Sequence, residues 1–118
     1  MNKLIAAAGL SLLIAIPAQA ANLTTAEIKD EIVGKRFKFE TTNGFRGRTK
    51  YYTSGRAKLY WNNFEPRSDR GTWRLGKGCI CNTWNVVRGG KEKCFTIKRV
   101  GKGRYVNQDG TTMKRVLF

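Results

Sequence analysis

The chain has 118 residues, enough for one small domain, and 23 Lys and Arg against 8 Asp and Glu give it a net charge of +15 without any histidine. Imidazole chemistry is therefore excluded, which removes Ser-His and Cys-His nucleophiles, histidine-ligated metals and a side-chain switch at neutral pH. Intrinsic disorder is disfavoured as well, because 41% of the residues are hydrophobic and 11% are aromatic.

Residues 1–20 have the pattern of a secretory signal peptide. Lys3 supplies a positive start, residues 4–16 form an uncharged apolar run, and residues 18–20 give the small-x-small pattern of a cleavage site. The apolar run is short for a membrane span. The pattern predicts a Sec-type signal of a Gram-negative bacterium and a single mature domain over residues 21–118. We expect that domain to be periplasmic or secreted, with no transmembrane segment after cleavage.

A short helix over residues 24–33 is the best-specified local element of the mature chain. Thr24 and Glu27 form a T-x-x-E capping box, in which each side chain accepts a bond from the backbone N–H of the other residue. Ile28 and Ile32 lie four residues apart and share one apolar face. Because so short a helix is not stable alone, we expect this face to pack against the rest of the domain.

From residue 35 onward, apolar and polar residues alternate in short runs separated by glycine turns, the pattern of half-buried antiparallel strands. The predicted strands are residues 36–40, 45–53, 56–63, 71–75, 79–87, 91–100, 104–107 and 111–118. The one longer loop is predicted at Glu65–Asp69. This organisation predicts a mainly β fold: a small antiparallel meander or barrel of about eight strands with one short N-terminal helix. An open, strongly bent sheet is the alternative.

The chain has three cysteines, Cys79, Cys81 and Cys94, and in an exported protein at least two of them should pair. A C-x-C pair with one distant cysteine offers zinc only three ligands and is not a C-x-x-C redox motif, so no metal site and no cofactor are predicted. We favour a Cys81–Cys94 disulfide because it needs the smaller change of register, although it requires a wide loop near residues 86–89 or a bulge. The leftover Cys79 is buried and inert, exchanges with Cys81, or joins a partner.

The positive charge belongs to the β region. Residues 34–118 hold 21 Lys and Arg against 5 Asp and Glu, a net charge of +16, whereas residues 21–33 carry a net charge of −2. On adjacent strands of a meander, five cations would share one outer face: Arg36, Lys38, Arg46, Arg48 and Lys50. Such a field attracts anionic polymers and surfaces. Solubility alone seldom needs this excess, since acidic residues serve it better.

The aromatic residues have two interpretations. The three tryptophans stand at strand spacing and are predicted to be core residues: Trp61, Trp73 and Trp84. Aromatic and cationic residues also interleave over residues 48–61, as in a sheet that stacks bases and binds phosphates. Packing in a barrel produces the same alternation.

Several short motifs occur in an order that gives the chain a family resemblance. They are Leu23-Thr24-x-x-Glu27-Ile28, Gly34-Lys35, Tyr51-Tyr52-x-x-Gly55, Gly71-x-Trp73, Ile80-Cys81, Cys94-Phe95 and Asp109-Gly110. Over residues 23–110 the chain thereby resembles the small exported alphaproteobacterial proteins grouped as a domain of unknown function. The resemblance implies a compact lipocalin-like β fold, supports the Cys81–Cys94 pairing, and implies no activity. Cys79 and the high charge depart from the family pattern.

Catalysis is not predicted. The chain has no Gly-rich phosphate loop of the P-loop or dinucleotide type. Of the acids, only Glu65 and Asp69, at the ends of the predicted loop, invite inspection as a carboxylate pair, and we expect both to be structural or solvated.

The predicted function is that of an exported, non-enzymatic binding protein. Its basic β surface, with the five cations of residues 36–50, would dock on an anionic envelope polymer, on lipid head groups or on an acidic protein. The alternative is a calycin-like carrier or inhibitor, in which the barrel mouth or the predicted loop holds a small apolar ligand or blocks a partner enzyme. A factor that binds nucleic acid or host membranes is a third, less favoured hypothesis.

Overall fold

The computed structural model describes residues 21–62 and 67–117, so the predicted signal peptide and Glu65–Pro66 of the predicted loop lie outside the described residues. The elements are α1 (Thr25–Glu31), β1 (Arg36–Glu40), β2 (Arg46–Tyr51), β3 (Arg56–Trp61), β4 (Arg67–Gly76), β5 (Cys79–Trp84), a 3-10 turn (Val87–Gly90), β6 (Lys93–Phe95), β7 (Ile97–Gly101), β8 (Arg104–Asn107) and β9 (Thr112–Val116). All strand pairs between neighbours are antiparallel.

The predicted fold class is confirmed, since the described residues form one short helix and a nearly closed antiparallel sheet. The predicted strand 91–100 is divided at Thr96, which makes nine strands where about eight were expected. The prediction of a loop at Glu65–Asp69 is wrong for its second half, because Arg67–Asp69 already belong to β4. The polar residues that suggested a loop follow the strand alternation, with Asp69 buried between two exposed neighbours.

Closure of the sheet follows from its strand order, β6-β5-β4-β3-β2-β1-β9-β8-β7. Strands β6 and β7 lie at opposite edges, yet only Thr96 separates them in the chain, so the two edges must meet. The Gln108 side chain bridges the seam: its Nε2 donates to the Cys94 carbonyl at 2.9 Å, and its Oε1 accepts from the Thr96 N–H at 2.8 Å. A side-chain amide therefore replaces a backbone ladder at this point.

Helix α1 covers one end of the barrel. Ile28 and Ile32 are fully buried beneath it, and the predicted capping box is present at its start. The Thr25 hydroxyl donates to one backbone carbonyl of the β4–β5 turn at 3.1 Å and accepts from a backbone N–H of the same turn at 2.7 Å. Glu31, at the other end of the helix, accepts from the Tyr105 hydroxyl of β8 at 2.9 Å. The helix thus spans this end, here called the closed end.

The predicted tryptophan core is confirmed, because the inward-facing side chains of the strands form one buried cluster with the helix. Trp61 and Trp84 are buried within it. Trp73 packs against it, and its indole N–H donates to the Tyr52 carbonyl at 2.7 Å.

Two glycines permit the strong bending of the sheet. Gly47 lies opposite Trp61, and Gly71 lies opposite Trp84, so in each pair a residue without a side chain faces one of the largest residues. A Cβ at Gly71 would collide with the carbonyl oxygen of Thr83 on the neighbouring strand. Barrels use glycines at such positions to turn corners, with aromatic residues packed over them.

We therefore expect Gly71→Ala to lower the free energy of unfolding by about 1–3 kcal/mol, because the added methyl group must displace backbone of β5. Gly101→Ala is the matched control: its Cβ would meet only the flexible Arg104 side chain, at 3.5 Å, and we expect a change within about 0.5 kcal/mol. Urea unfolding followed by tryptophan fluorescence measures both. Equal stabilities of the two variants would contradict this role of Gly71.

Candidate functional site

The structure brings the five predicted cations onto one outer face. Within the β1–β2 pair, Lys38 lies opposite Arg48 and Arg36 lies opposite Lys50. These four side chains point outward, because the residues between them on both strands face the core. The fifth cation, Arg46, lies opposite Glu40 at the end of the pair. The structure therefore places the five residues side by side, and their role in binding an anion stays a prediction.

The same face continues onto strands that the sequence analysis did not connect with it. Lys114 of β9 lies opposite Lys38, and Arg104 of β8 lies opposite Lys114. Arg48, Lys38, Lys114 and Arg104 therefore stand in one line across four strands, here called the basic row; all four are exposed. Finding Lys114 and Arg104 required knowing that the last strand pairs with the first.

A second line of cations lies beside the basic row. Lys58 of β3 is opposite Lys50, and Arg70 of β4 is opposite Lys58, so this line runs Arg36, Lys50, Lys58, Arg70. We call the two lines together with Arg46 the basic face. Along each strand the two lines are two residues apart, which is about 7 Å.

Acidic side chains are nearly absent from this face. Within the described parts of β1, β2, β3, β8 and β9, Glu40 is the only acid. Ion pairs between described residues lie elsewhere: Arg74–Glu92, Lys93–Asp109, and Arg99 with both Glu27 and Glu31. Like charges directly opposite in a sheet destabilise it, by about 0.2–1 kcal/mol per pair. Because Lys38 faces a cation on both neighbouring strands, packing and stability do not explain the basic row.

The interleaved aromatic residues divide between the two sides of the sheet. Tyr51 and Trp61 are buried in the core, whereas Tyr60 is 42% exposed and lies opposite Arg48 at the end of the basic row. Lys50 Nζ lies 4.8 Å from the centre of the Tyr52 ring. The proposed stacking surface of residues 48–61 is thus reduced to two tyrosines among cations.

An open groove of about 640 Å³ follows the basic row. Its lining includes Lys38, Arg48, Tyr60, Arg104 and Lys114. A smaller depression of about 250 Å³ lies beside it over the second line of cations, with Tyr52 and Tyr60 in its wall. The face is therefore grooved and cationic, with tyrosine rings at its margin.

The cysteines form the predicted disulfide between Cys81 and Cys94. Its two residues lie directly opposite each other in the β5–β6 ladder, which is possible because the 3-10 turn supplies the wide loop that the pairing required. Cys79 is free and half-buried, with its Sγ 4.0 Å from that of Cys81. Cys79 and Cys81 therefore share one face of β5, and exchange between them stays open.

Asp69 has a structural role. It is 5% exposed, and its carboxylate accepts from the backbone N–H groups of Val86 at 2.9 Å, Val87 at 2.8 Å and Arg70 at 2.8 Å. Burial would raise the pKa of Asp69, but the backbone N–H donors outweigh it and hold this pKa below its ordinary value. The carboxylate thereby fixes the turn that precedes β6.

Comparison with protein-family models, with curated proteins and with solved structures finds no match. Among the described residues, no helix is both long and apolar enough to cross a membrane.

Replacing both Cys81 and Cys94 by alanine should lower the free energy of unfolding by about 3 kcal/mol, because the 13-residue loop is no longer closed in the unfolded chain. Thermal unfolding with and without reductant measures this, and reductant should affect only the chain that keeps the bridge. Cys79→Ala is the matched control and should unfold like the wild type. A loss for Cys79→Ala as large as that for the double variant would assign the bridge to Cys79.

The low pKa of Asp69 means that its carboxylate stabilises the fold at neutral pH and loses this contribution as the pH falls through the folded-state pKa. Asp69→Asn should therefore be less stable than the wild type at pH 7, by about 1–3 kcal/mol, and the difference should shrink in acid. Urea unfolding across this pH range measures it. The exposed Asp30→Asn serves as control, and a deficit of Asp69→Asn that is constant with pH would refute the assignment.

Proposed function

We propose that this chain is a non-enzymatic binding protein whose basic face docks on a surface of closely spaced phosphates, the head groups of an anionic lipid layer. The observation that carries the proposal is the basic row, in which Arg48, Lys38, Lys114 and Arg104 stand in register across four neighbouring strands. No catalytic step is proposed for any residue.

The spacing of the cations supports a surface as the partner. Neighbouring strands lie about 4.8 Å apart, so the basic row extends over about 14 Å, with the second line of cations about 7 Å away. Such a two-dimensional grid, carried on a curved sheet, matches many closely spaced anions better than it matches one small ligand. Each Lys or Arg near an anionic lipid surface contributes about 1 kcal/mol to binding.

The two tyrosines at the basic face, the exposed Tyr60 and the half-buried Tyr52, fit the same partner. Tyr60, which is 42% exposed, ends the basic row, and the Tyr52 ring lies beneath Lys50. Tyrosine has an apolar ring and a polar hydroxyl, and such side chains favour the interface between head groups and water.

Export supports the choice of an envelope component. The pattern of residues 1–20 and the order of the motifs are the basis for proposing a periplasmic or secreted protein of the small exported alphaproteobacterial family. The Cys81–Cys94 disulfide agrees with an oxidising compartment.

The second candidate function, a calycin-like carrier or inhibitor, has one specific observation in its favour. The barrel interior contains a cavity of about 250 Å³ with mostly apolar walls. Because this cavity lies inside the sheet and the basic face lies outside it, the two functions do not exclude each other.

The docking proposal predicts that the protein co-sediments with phosphatidylglycerol vesicles and not with phosphatidylcholine vesicles, and that added NaCl releases it. The double variant Lys38→Ala, Lys114→Ala should bind phosphatidylglycerol vesicles with roughly thirtyfold lower affinity, because it lacks two of the cations of the basic row. Vesicle sedimentation over a salt series measures both effects.

The matched control is the double variant Lys77→Ala, Lys91→Ala, which loses the same charge from two exposed sites outside the basic face. It should bind almost as well as the wild type. An equal loss in the two double variants would show that only net charge matters and would refute the docking face. If heparin or single-stranded DNA binds the protein more tightly than the vesicles do, and so displaces it from them, the face would be assigned to an anionic polymer.

A further inference from the structure

The interior of the barrel is not completely filled by its own side chains. A cavity of about 250 Å³ lies between the inward faces of the strands and reaches the end opposite α1. That end, here called the mouth, is formed within the described residues by the turns of residues 41–45, 87–90 and 108–111. A small barrel of this kind either packs its interior or holds one small ligand.

The walls of the cavity are mainly apolar and aromatic. They include Phe39, Phe45, Leu59, Trp84, Phe95 and Met113. At about 30 Å³ per water molecule, the volume corresponds to about eight waters. Such a wall gives water few partners, whereas the apolar part of a ligand of this size would be transferred out of water on entering it.

Polar side chains interrupt this apolar wall, among them the Lys93–Asp109 ion pair, and three of them are connected with one another. Asn82, which is 4% exposed, donates from its Nδ2 to the buried Tyr51 hydroxyl at 3.0 Å. Arg88 donates from its Nη2 to the side-chain oxygen of Asn82, and to the Asn82 carbonyl at 3.2 Å. Both hydrogen bonds that Arg88 donates to described residues come from its Nη2. Its Nε and Nη1 therefore remain to donate to an oxygen of a ligand.

The backbone of Arg88 is unusual. At φ 58° it is the only non-glycine residue with positive φ among the described residues, and the two residues after it, Gly89 and Gly90, take positive φ as well. A glycine would adopt this conformation without strain, and a strained residue is a reason to look for function. What arginine adds is a guanidinium group over the Phe95 ring, 5.7 Å from its centre, at the mouth of the cavity.

The charges at the mouth leave one cation without an ion-pair partner among the described residues. Lys93 pairs with Asp109 at 2.6 Å, whereas Arg88 forms no salt bridge with any described residue. Partial burial lowers the pKa of Arg88, and the attraction of Tyr51 and Asp109 does not offset it. An anionic group placed at Arg88 would restore the balance of charge.

We propose that the cavity binds a small amphiphile with one carboxylate, which accepts hydrogen bonds from Arg88 while its apolar body lies among the aromatic walls. The Tyr51 hydroxyl and Asn82 keep the guanidinium in place and complete the polar end of the site. This site is independent of the docking of the basic face, because none of the cations of the basic face lines the cavity.

Octanoate is the probe for this site, because its chain is of about the size of the cavity. By titration calorimetry we expect the full mature chain to bind octanoate at least tenfold more tightly than 1-octanol, which has the same chain without the charge. Arg88→Gly should weaken octanoate binding about tenfold or more and abolish the preference over octanol. Because glycine relieves the strain at this position, the variant should remain folded, which thermal unfolding checks.

Lys91→Ala is the matched control, since it removes an exposed cation beside the same turn without touching the cavity. It should bind octanoate like the wild type, as should the Lys38→Ala, Lys114→Ala variant of the basic row. Arg88→Gly should in turn keep its affinity for phosphatidylglycerol vesicles. Absence of octanoate binding to the wild type, equal binding of octanol, or an equal loss in Lys91→Ala would each overturn the proposal.

Discussion

Thr96 alone separates two strands that lie at opposite edges of the sheet, and the rest of the structure depends on this constraint. Strand β6 has only three residues and forms only a three-residue ladder with β5. The disulfide of Cys94 fixes it to β5, and two side-chain links cross the seam: the amide of Gln108 and the ion pair of Lys93 with Asp109. A strand this short cannot close a barrel by backbone pairing alone, so side-chain bonds complete the closure.

Closure also explains how the sheet carries so many cations. On the convex outside of a barrel the tips of the side chains diverge into water, which weakens the repulsion between Lys38 and the cations opposite it. On the concave inside the tips converge, and large side chains alternate with Gly47 and Gly71. The same curvature therefore favours a charged exterior and leaves an interior space whose size depends on a few ring positions.

Much of the fold could be predicted from the sequence because the signals are local. The capping box at Thr24 and Glu27 and the outward cations of β1 and β2 depend only on residues a few positions apart. The pairing of Cys94 with Cys81 could also be predicted, since the hairpin limits which cysteine Cys94 can reach. The division of residues 91–100 and the alignment of Lys114 with Lys38 were not accessible, because both depend on the pairing of strands distant in the chain. Arg88 carried no signal at all, because its position among glycines is typical of an exposed turn.

Asp69 of β4 and Arg88 of the mouth act on the same turn. Asp69 accepts from the backbone N–H groups of Val86 and Val87, the two residues that directly precede Arg88. A left-handed conformation at a non-glycine residue persists only where the surrounding structure holds it. The buried Asp69 carboxylate of β4 holds the turn through its bonds to the backbone N–H groups. The Arg88 guanidinium holds it from the other side through its bonds to Asn82 of β5. The turn is thus fixed from both strands. It places at the cavity the Arg88 side chain, whose Nε and Nη1 still have N–H groups to donate.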